Sequence, residues 1–226
     1  MSSLFCFSLR DATLARDEAF IISVFDASIP YLSSLGSEAQ WGTSPFSSRP
    51  GWLSETQTQI RESEQNAAAN TTNALRILIL EVVTTAEEMK VLSTEDVCQR
   101  EQDDARRRMP VAFAFVRGNW LPSYLPAAAV DQAGQSARDE SLYVEVMVSA
   151  GNCKDRPQGI GAAMLRELRV WGRCRGKKIL YLDGWAGNDR ELIRYYTQQG
   201  LQTIAEFNLP RKNKDPWLGT LMKLDI

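Results

Sequence analysis

The clearest pattern of hydrophobic and polar positions lies between residues 141 and 161. In its first part, aliphatic side chains occupy every second position: Leu142, Val144, Val146 and Val148. Because successive side chains of a strand point to opposite faces of a sheet, this alternation predicts a strand with the valines on one face. Tyr143, Glu145 and Met147 are then expected on the other face. A polar turn follows, and a helical pattern begins near Gly159.

Similar patterns along the rest of the chain predict six further strands and four helices in total. The strands are expected at residues 4–9, 75–83, 111–116, 178–183, 201–208 and 217–224. The helices are expected from residue 11 or 13 to about 35 with a break near Pro30, at 54–65, after the Gly-rich turn, and at 188–199. The strand–helix–strand unit over residues 141–183 requires a right-handed crossover between two parallel strands.

The domain organisation predicted from these patterns is one domain over residues 1–226. A chain of this length buries a substantial core as a single unit. Residues 84–109 are dense in charge and end in three consecutive arginines, so we interpret them as an insertion. Residues 127–140 are small and polar, which predicts a flexible loop.

The overall composition limits the class of protein. Hydrophobic residues make up 44% and charged residues 24% of the chain, as in an ordinary soluble protein. The formal net charge of −2 gives no reason to expect a nucleic-acid partner or an anionic membrane surface. The sequence has no apolar run long enough to span a bilayer and no signal-peptide pattern at residues 1–7, so a cytoplasmic location is expected.

The sequence contains four cysteines and no histidine. The cysteines have no metal-ligand spacing, which favours free thiols in a reducing compartment. The absence of histidine excludes Ser-His-Asp and Cys-His chemistry and argues against a zinc enzyme, so no metal is expected. A general acid or base must therefore be a carboxylate, tyrosine, lysine, cysteine or water.

The Gly-rich turn after the central strand predicts an anion site. The first backbone N–H groups of a helix lack partners within the helix, and the helix dipole is positive there. Glycine allows a phosphate to approach the backbone closely. The residues expected to form this site are Arg156, Gln158, Gly159, Ile160, Gly161 and Ala162.

The segment from Arg156 to Ala162 resembles the R/Q-x-x-G-x-G/A signature of the GNAT acetyltransferase superfamily. The segments at residues 181–188 and 195–201 look like that family's next strand and following helix. The resemblance implies a mixed, largely antiparallel seven-stranded α/β (α+β) fold with a splayed parallel pair and about four flanking helices. It also implies acetyl-coenzyme A as co-substrate, with its pyrophosphate on the Gly-rich turn.

The resemblance also implies roles for several other residues. The backbone of Val146, Met147 and Val148 would pair with the pantetheine arm of coenzyme A. Tyr196 would donate a proton to the departing thiolate, although the spacing from Asn188 leaves Tyr195 as an alternative. Asn188 and Tyr195 are accordingly expected to contact the coenzyme.

Two carboxylates are candidates for contact with the acceptor. Glu145, opposite the valines of the central strand, is the candidate base or water-holding residue, and pairing with an arginine is the alternative. Asp183, at the end of the next strand, could bind a cationic amine or serve as a structural cap.

Aromatic residues in predicted loops suggest a covered groove. In the GNAT family the segment between the first two helices borders the acceptor site, which implicates Gln40 and Trp41. Tyr124, in a second aromatic loop, and Trp185 are further candidate acceptor contacts. Ordinary core packing is the alternative for both tryptophans.

The function expected from this sequence is transfer of an acetyl or other short acyl group from acyl-coenzyme A to an amine of a small molecule, by direct attack in a ternary complex. A non-catalytic coenzyme A-binding module and a different acyl-thioester reaction, such as decarboxylation or hydrolysis, are the alternatives. A monomer or a homodimer is expected.

Overall fold

A computed structural model describes residues 6–71, 73–85, 106–134, 139–150, 159–212 and 214–226. Seven strands form a single sheet: β1 (Cys6–Asp11), β2 (Leu75–Thr85), β3 (Arg106–Gly118), β4 (Ser141–Ser149), β5 (Ile179–Trp185), β6 (Gln202–Arg211) and β7 (Lys214–Asp225). Their order across the sheet is β1-β2-β3-β4-β5-β7-β6. The strands β4 and β5 are parallel, and the other neighbouring pairs are antiparallel. The predicted mixed sheet with one parallel pair is confirmed.

The helices of the described chain cover both faces of the sheet. They are α1 (Leu14–Ser34), α2 (Glu38–Trp41), α3 (Trp52–Ala68), α4 (Ala127–Ala133), α5 (Ile160–Arg173) and α6 (Glu191–Gln198). The four longer helices correspond to those predicted, and α2 and α4 are short additions. The break predicted near Pro30 is wrong, because α1 continues through it. The helix α4 occupies the first half of the segment predicted to be a flexible loop.

The charged segment at residues 84–109 contributes more to the sheet than its composition indicates. The antiparallel ladder of β2 and β3 runs from the Leu75–Arg117 pair to the Thr85–Arg106 pair, so both ends of the predicted insertion belong to strands. Residues 86–105 lie outside the described part of the chain.

Hydrophobic side chains pack on both faces of the sheet. On one face, β2–β5 and β7 pack against α5 and α6, and Leu80, Met164 and Leu168 are fully buried there. The buried side of α5 carries Ile160, Met164 and Leu168, as its helical period predicts. On the other face, a cluster that contains Phe25 lies beneath α1 and α3. A third cluster packs around α4, β6 and β7.

The strand β4 contains a β-bulge that reverses its side-chain pattern. Phe115 of β3 pairs with Val146, and the next residue, Val116, pairs with Val144, so Glu145 is an extra residue in β4. A bulge of this kind bends its strand and changes the face on which the following side chains lie. Val144 therefore packs on the α5 face, whereas Val146 packs on the α1 face. The prediction that the valines of this strand share one face is wrong.

Candidate functional site

The parallel strands β4 and β5 separate halfway along their length. Their pairing runs from Ser141 and Ile179 to Val144 and Leu182 and ends there. Beyond Val144, β4 pairs only with β3 among the described residues. The bulge at Glu145 lies directly after the last paired residue, where it bends β4. The result is a gap in the sheet bordered by a strand edge that is available for hydrogen bonding.

A cavity of about 480 Å³ opens at this gap. Residues of both diverging strands line it, together with residues of the α1–α3 connection, α6 and the β6–β7 hairpin. Its lining consists of Gln40, Trp41, Tyr124, Val144, Glu145, Val146, Met147, Leu182, Asp183, Gly184, Trp185, Leu192, Tyr196, Leu209, Pro210, Arg211 and Trp217. This volume falls in the range of small-molecule sites.

The N-terminus of α5 presents free backbone N–H groups. Gly159, the N-cap residue, has a φ of +82°, a conformation that glycine adopts without strain. The first helical hydrogen bond runs from the N–H of Ala163 to the carbonyl of Gly159. The N–H groups of Ile160, Gly161 and Ala162 donate to no described residue, and no side chain caps the helix. These three amides and the helix dipole form the kind of site that binds an anion.

The two adjacent tyrosines of α6 have different environments. Tyr196 is 7% exposed, lines the cavity and packs its ring against Gly184 of β5. Its hydroxyl forms no hydrogen bond with a described residue, and burial raises its pKa, so it carries its proton at neutral pH. The hydroxyl of Tyr195 lies against Gly161, where a Cβ atom would overlap it. Tyr196 therefore faces the cavity and Tyr195 faces the start of α5.

Glu145 lies in the cavity wall and forms an ion pair with Arg117. Arg117 also lies 3.7 Å from Glu62 of α3 and over the ring of Trp120. Burial raises the pKa of Glu145, and the charge and hydrogen bond of Arg117 oppose that rise. The sequence left pairing of Glu145 with an arginine open as an alternative, and this pairing is present. Glu145 also lines the cavity.

Asp183 follows Leu182, the last residue of β5 that pairs with β4, and two tyrosines donate hydrogen bonds to it. The hydroxyl of Tyr124 donates to Oδ1 at 2.8 Å, and the hydroxyl of Tyr143 donates to the same atom. Burial raises the pKa of Asp183, while the two tyrosine hydrogen bonds lower it. Glu145 and Asp183 therefore stand on opposite sides of the gap, each one residue beyond the last β4–β5 pair.

Comparison with known proteins was made by sequence and by structure. No protein-family model and no curated protein matches the sequence at a significant level. The ribosomal-protein-alanine N-acetyltransferase from Brucella melitensis matches in structure with a TM-score of 0.55 at 16% identity, covering 97% of this chain and 99% of that one. A GNAT superfamily phosphinothricin acetyltransferase from Sinorhizobium meliloti, solved with AcCoA, matches with a TM-score of 0.53 at 14% identity, over 97% and 88%. The spermidine N-acetyltransferase from Vibrio cholerae, in complex with CoA and spermine, matches with a TM-score of 0.53 at 11% identity, over 97% and 95%.

The chain has the GNAT fold. The resemblance found in the segment from Arg156 to Ala162 predicted this fold, and the structural matches confirm it over almost the whole chain. Arg156 and Gln158, which carry the first part of the motif, lie outside the described residues.

Half of the predicted site residues, nine of eighteen, come together at the gap in this GNAT fold. Those that line the cavity are Gln40, Trp41, Tyr124, Glu145, Val146, Met147, Asp183, Trp185 and Tyr196. Trp41 also packs against Phe25 and Phe46, so it serves the core and the cavity together. These positions support the predicted roles, which remain predictions.

Besides Tyr195 and the residues at the start of α5, two described residues of the predicted site lie outside the cavity lining. The side chain of Val148 is 6% exposed and packs in the cluster beneath α1 and α3. The side-chain amide of Asn188 donates hydrogen bonds to the carbonyl of Leu35, the hydroxyl of Ser37 and the carboxylate of Glu191. Asn188 therefore ties the end of β5 to the α1–α2 connection.

Sequence reasoning missed four residues of the site. Tyr143 is fully buried and holds Asp183, and its place two residues before Glu145 in the alternating strand could have suggested a shared face. Arg117 pairs with Glu145 from the neighbouring strand, for which the sequence carries no signal. Trp217 and Arg211 reach the cavity from the β6–β7 hairpin, beside the segment identified only as a basic, Pro-flanked loop.

Within the described ranges, no group of three His, Cys, Asp or Glu side chains could hold a metal ion. None of the described helices is long and apolar enough to cross a membrane.

Proposed function

We propose that this protein transfers a short acyl group from acyl-coenzyme A to an amine of a small molecule, by direct attack in a ternary complex. The observation that carries the proposal is the gap between β4 and β5, which opens on the cavity and is accompanied by the free amides at the start of α5. Support also comes from structural neighbours named as acetyltransferases, among them one solved with AcCoA and one with CoA and spermine.

The residues present fit a coenzyme A diphosphate and its extended arm. The amides of Ile160, Gly161 and Ala162 would hold the diphosphate, because they have no acceptor among the described residues. The edge of β4 at Val146 and Met147 would hold the arm by strand-like hydrogen bonds, because β5 has diverged there. When bound, acyl-coenzyme A supplies an activated thioester.

The side chains around the gap would then handle protons. Glu145 would take the proton from the acceptor nitrogen, directly or through water, as that nitrogen forms its bond to the acyl carbon. Tyr196 would donate its proton to the sulfur as the carbon–sulfur bond breaks, because this residue lines the cavity and its hydroxyl has no partner among the described residues. Holding both substrates at the gap would contribute much of the rate by positioning.

The test measures thiol release from acetyl-coenzyme A with and without a panel of primary amines. Mass spectrometry then shows whether each amine has been acetylated. Release only in the presence of an amine, with a product heavier by one acetyl group, is the expected result. Release without an amine would indicate hydrolysis or another thioester reaction. Calorimetric binding of acetyl-coenzyme A without release would indicate a binding module, and failure to bind would contradict all three functions.

A further inference from the structure

The carboxylate of Asp183 lies in the cavity wall, and it has no cationic partner among the described residues. Tyr124 and Tyr143 both donate to Oδ1, and no side chain of a described residue donates to Oδ2. An ionised carboxylate has about four lone-pair sites, so this group can accept further hydrogen bonds. No Lys or Arg among the described residues forms an ion pair with it.

The two fully buried carboxylates of the described chain, in contrast, each have a cationic partner. Asp17 and Glu81 are each 1% exposed, and each forms a 2.7 Å ion pair with Arg10. Glu145, on the opposite side of the gap, is paired with Arg117. Removing a carboxylate from water is unfavourable unless a cation or several donors compensate it. Asp183 therefore differs from these groups, because no cationic side chain among the described residues neutralises it.

The walls around Asp183 are suited to a cation. Trp41, Trp185 and Trp217 line the same cavity, and the negative face of an aromatic ring attracts ammonium groups. Arg211, the cationic residue of the lining, directs Nε and Nη1 to the backbone carbonyls of Asp215 and Ala39 rather than to a carboxylate. These contacts hold two of its nitrogens on backbone carbonyls, and Arg211 forms no ion pair with Asp183.

We infer that Asp183, oriented by Tyr124 and Tyr143, binds the ammonium group of a cationic acceptor, and that the cavity selects cationic amines over neutral or anionic molecules of the same shape. The role of this amine as an acyl acceptor rests on the proposed function, but its binding to Asp183 needs no acyl donor. Because Asp183 stands one residue beyond the last β4–β5 pair, an ammonium held there lies at the mouth of the gap.

The experiment compares three probes of similar size and different charge: benzylammonium, benzyl alcohol and benzoate. Their binding to the full chain without coenzyme is followed by quenching of tryptophan fluorescence excited at about 295 nm, because three tryptophans line the cavity. Benzylammonium is expected to bind at least about tenfold more tightly than benzyl alcohol, and benzoate more weakly still. Asp183→Asn should reduce the benzylammonium advantage to about twofold or less. Asp131→Asn, which removes an exposed carboxylate of α4 outside the cavity, should retain it.

Equal affinity of the wild-type protein for benzylammonium and benzyl alcohol would overturn the inference, and this comparison does not depend on any variant folding. An unchanged preference in a folded Asp183→Asn protein, verified by its circular dichroism melt, would overturn it as well. Amine acetylation without this preference would support the proposed function and contradict the cation site at Asp183. Benzylammonium binding that requires Asp183, in a protein that acetylates no amine, would support the cation site and contradict the proposed function.

Discussion

At the scale of single residues, the hydroxyl of Tyr196 is the best-placed proton donor. It faces the cavity, lacks a partner among the described residues and has a raised pKa, whereas the hydroxyl of Tyr195 lies against the start of α5. Tyr196→Phe should lower kcat by about 10²-fold, in the usual range for general acid catalysis, with little change in the acetyl-coenzyme A affinity. Steady-state kinetics and calorimetry check both values.

A matched control for this prediction is Tyr181→Phe. Tyr181 is also buried, but its hydroxyl donates to the carbonyl of Ala133 outside the cavity. Its loss should cost about 1 kcal/mol of unfolding free energy and leave kcat near the wild-type value. If Tyr195→Phe lowered kcat and Tyr196→Phe did not, the proton donor would be Tyr195.

The raised pKa of a second single residue, Glu145, predicts how kcat/KM depends on pH. Burial raises this pKa above the ordinary glutamate value of about 4.3. A base must be deprotonated to act, so kcat/KM should fall as the pH drops through the raised value. Glu145→Gln should lower the plateau and flatten this acidic limb of the pH profile.

The matched control is Glu62→Gln, because Glu62 also approaches Arg117 but does not line the cavity. That variant should keep the acidic limb but move it slightly to lower pH, because the charge of Glu62 contributes to the raised pKa of Glu145. An unaltered limb in Glu145→Gln would instead assign the proton transfer to water alone or to Asp183.

At the scale of elements, the structure separates what the sequence could predict from what it could not. Periodicity predicted the seven strands, since each strand is long enough for its pattern to repeat. The bulge at Glu145 was not predictable, because it arises from the register between β4 and β3 and leaves no mark on the alternation. The same limit applies to Trp217 and Arg211, whose position depends on how β6 and β7 return beside β5. Local motifs thus predicted the Gly-rich start of α5 better than the cavity, which is assembled from distant segments.

The start of α5 yields a prediction about Gly161. A Cβ atom there would overlap the hydroxyl of Tyr195 and block the approach of a diphosphate to the backbone. Gly161→Ala should therefore weaken acetyl-coenzyme A binding by at least about tenfold, or about 1.4 kcal/mol, as measured by calorimetry. Adding Tyr195→Phe removes the overlapping hydroxyl and leaves the ring carbon Cζ 3.3 Å away.

The double variant separates these two effects. It should recover the thermal stability lost in Gly161→Ala without recovering coenzyme affinity, if the backbone itself must meet the diphosphate. Full recovery of affinity would show instead that the glycine serves only the packing of α5 against α6.

At the scale of the whole molecule, the gap divides the sheet into two groups of strands. β1–β4 form one group, and β5, β7 and β6 form the other. They are joined by the short parallel ladder that ends at Val144 and Leu182 and by the core beneath α5 and α6. A ligand that pairs with β4 in the gap and binds the N-terminus of α5 would add a second connection between the groups.

Amide hydrogen exchange tests this arrangement directly. Free coenzyme A, which cannot react, should slow exchange by about tenfold or more at the first turn of α5 and at those amides of β4 beyond Val144 that are not bonded to β3. The β1–β2 pair lies at the far edge of the sheet and should exchange at its original rate. In the Gly161→Ala variant, the same coenzyme concentration should give little protection at the first turn of α5 or in β4. Protection spread evenly over all seven strands would mean only global stabilisation by a ligand bound elsewhere, and would refute the placement of the coenzyme in the gap.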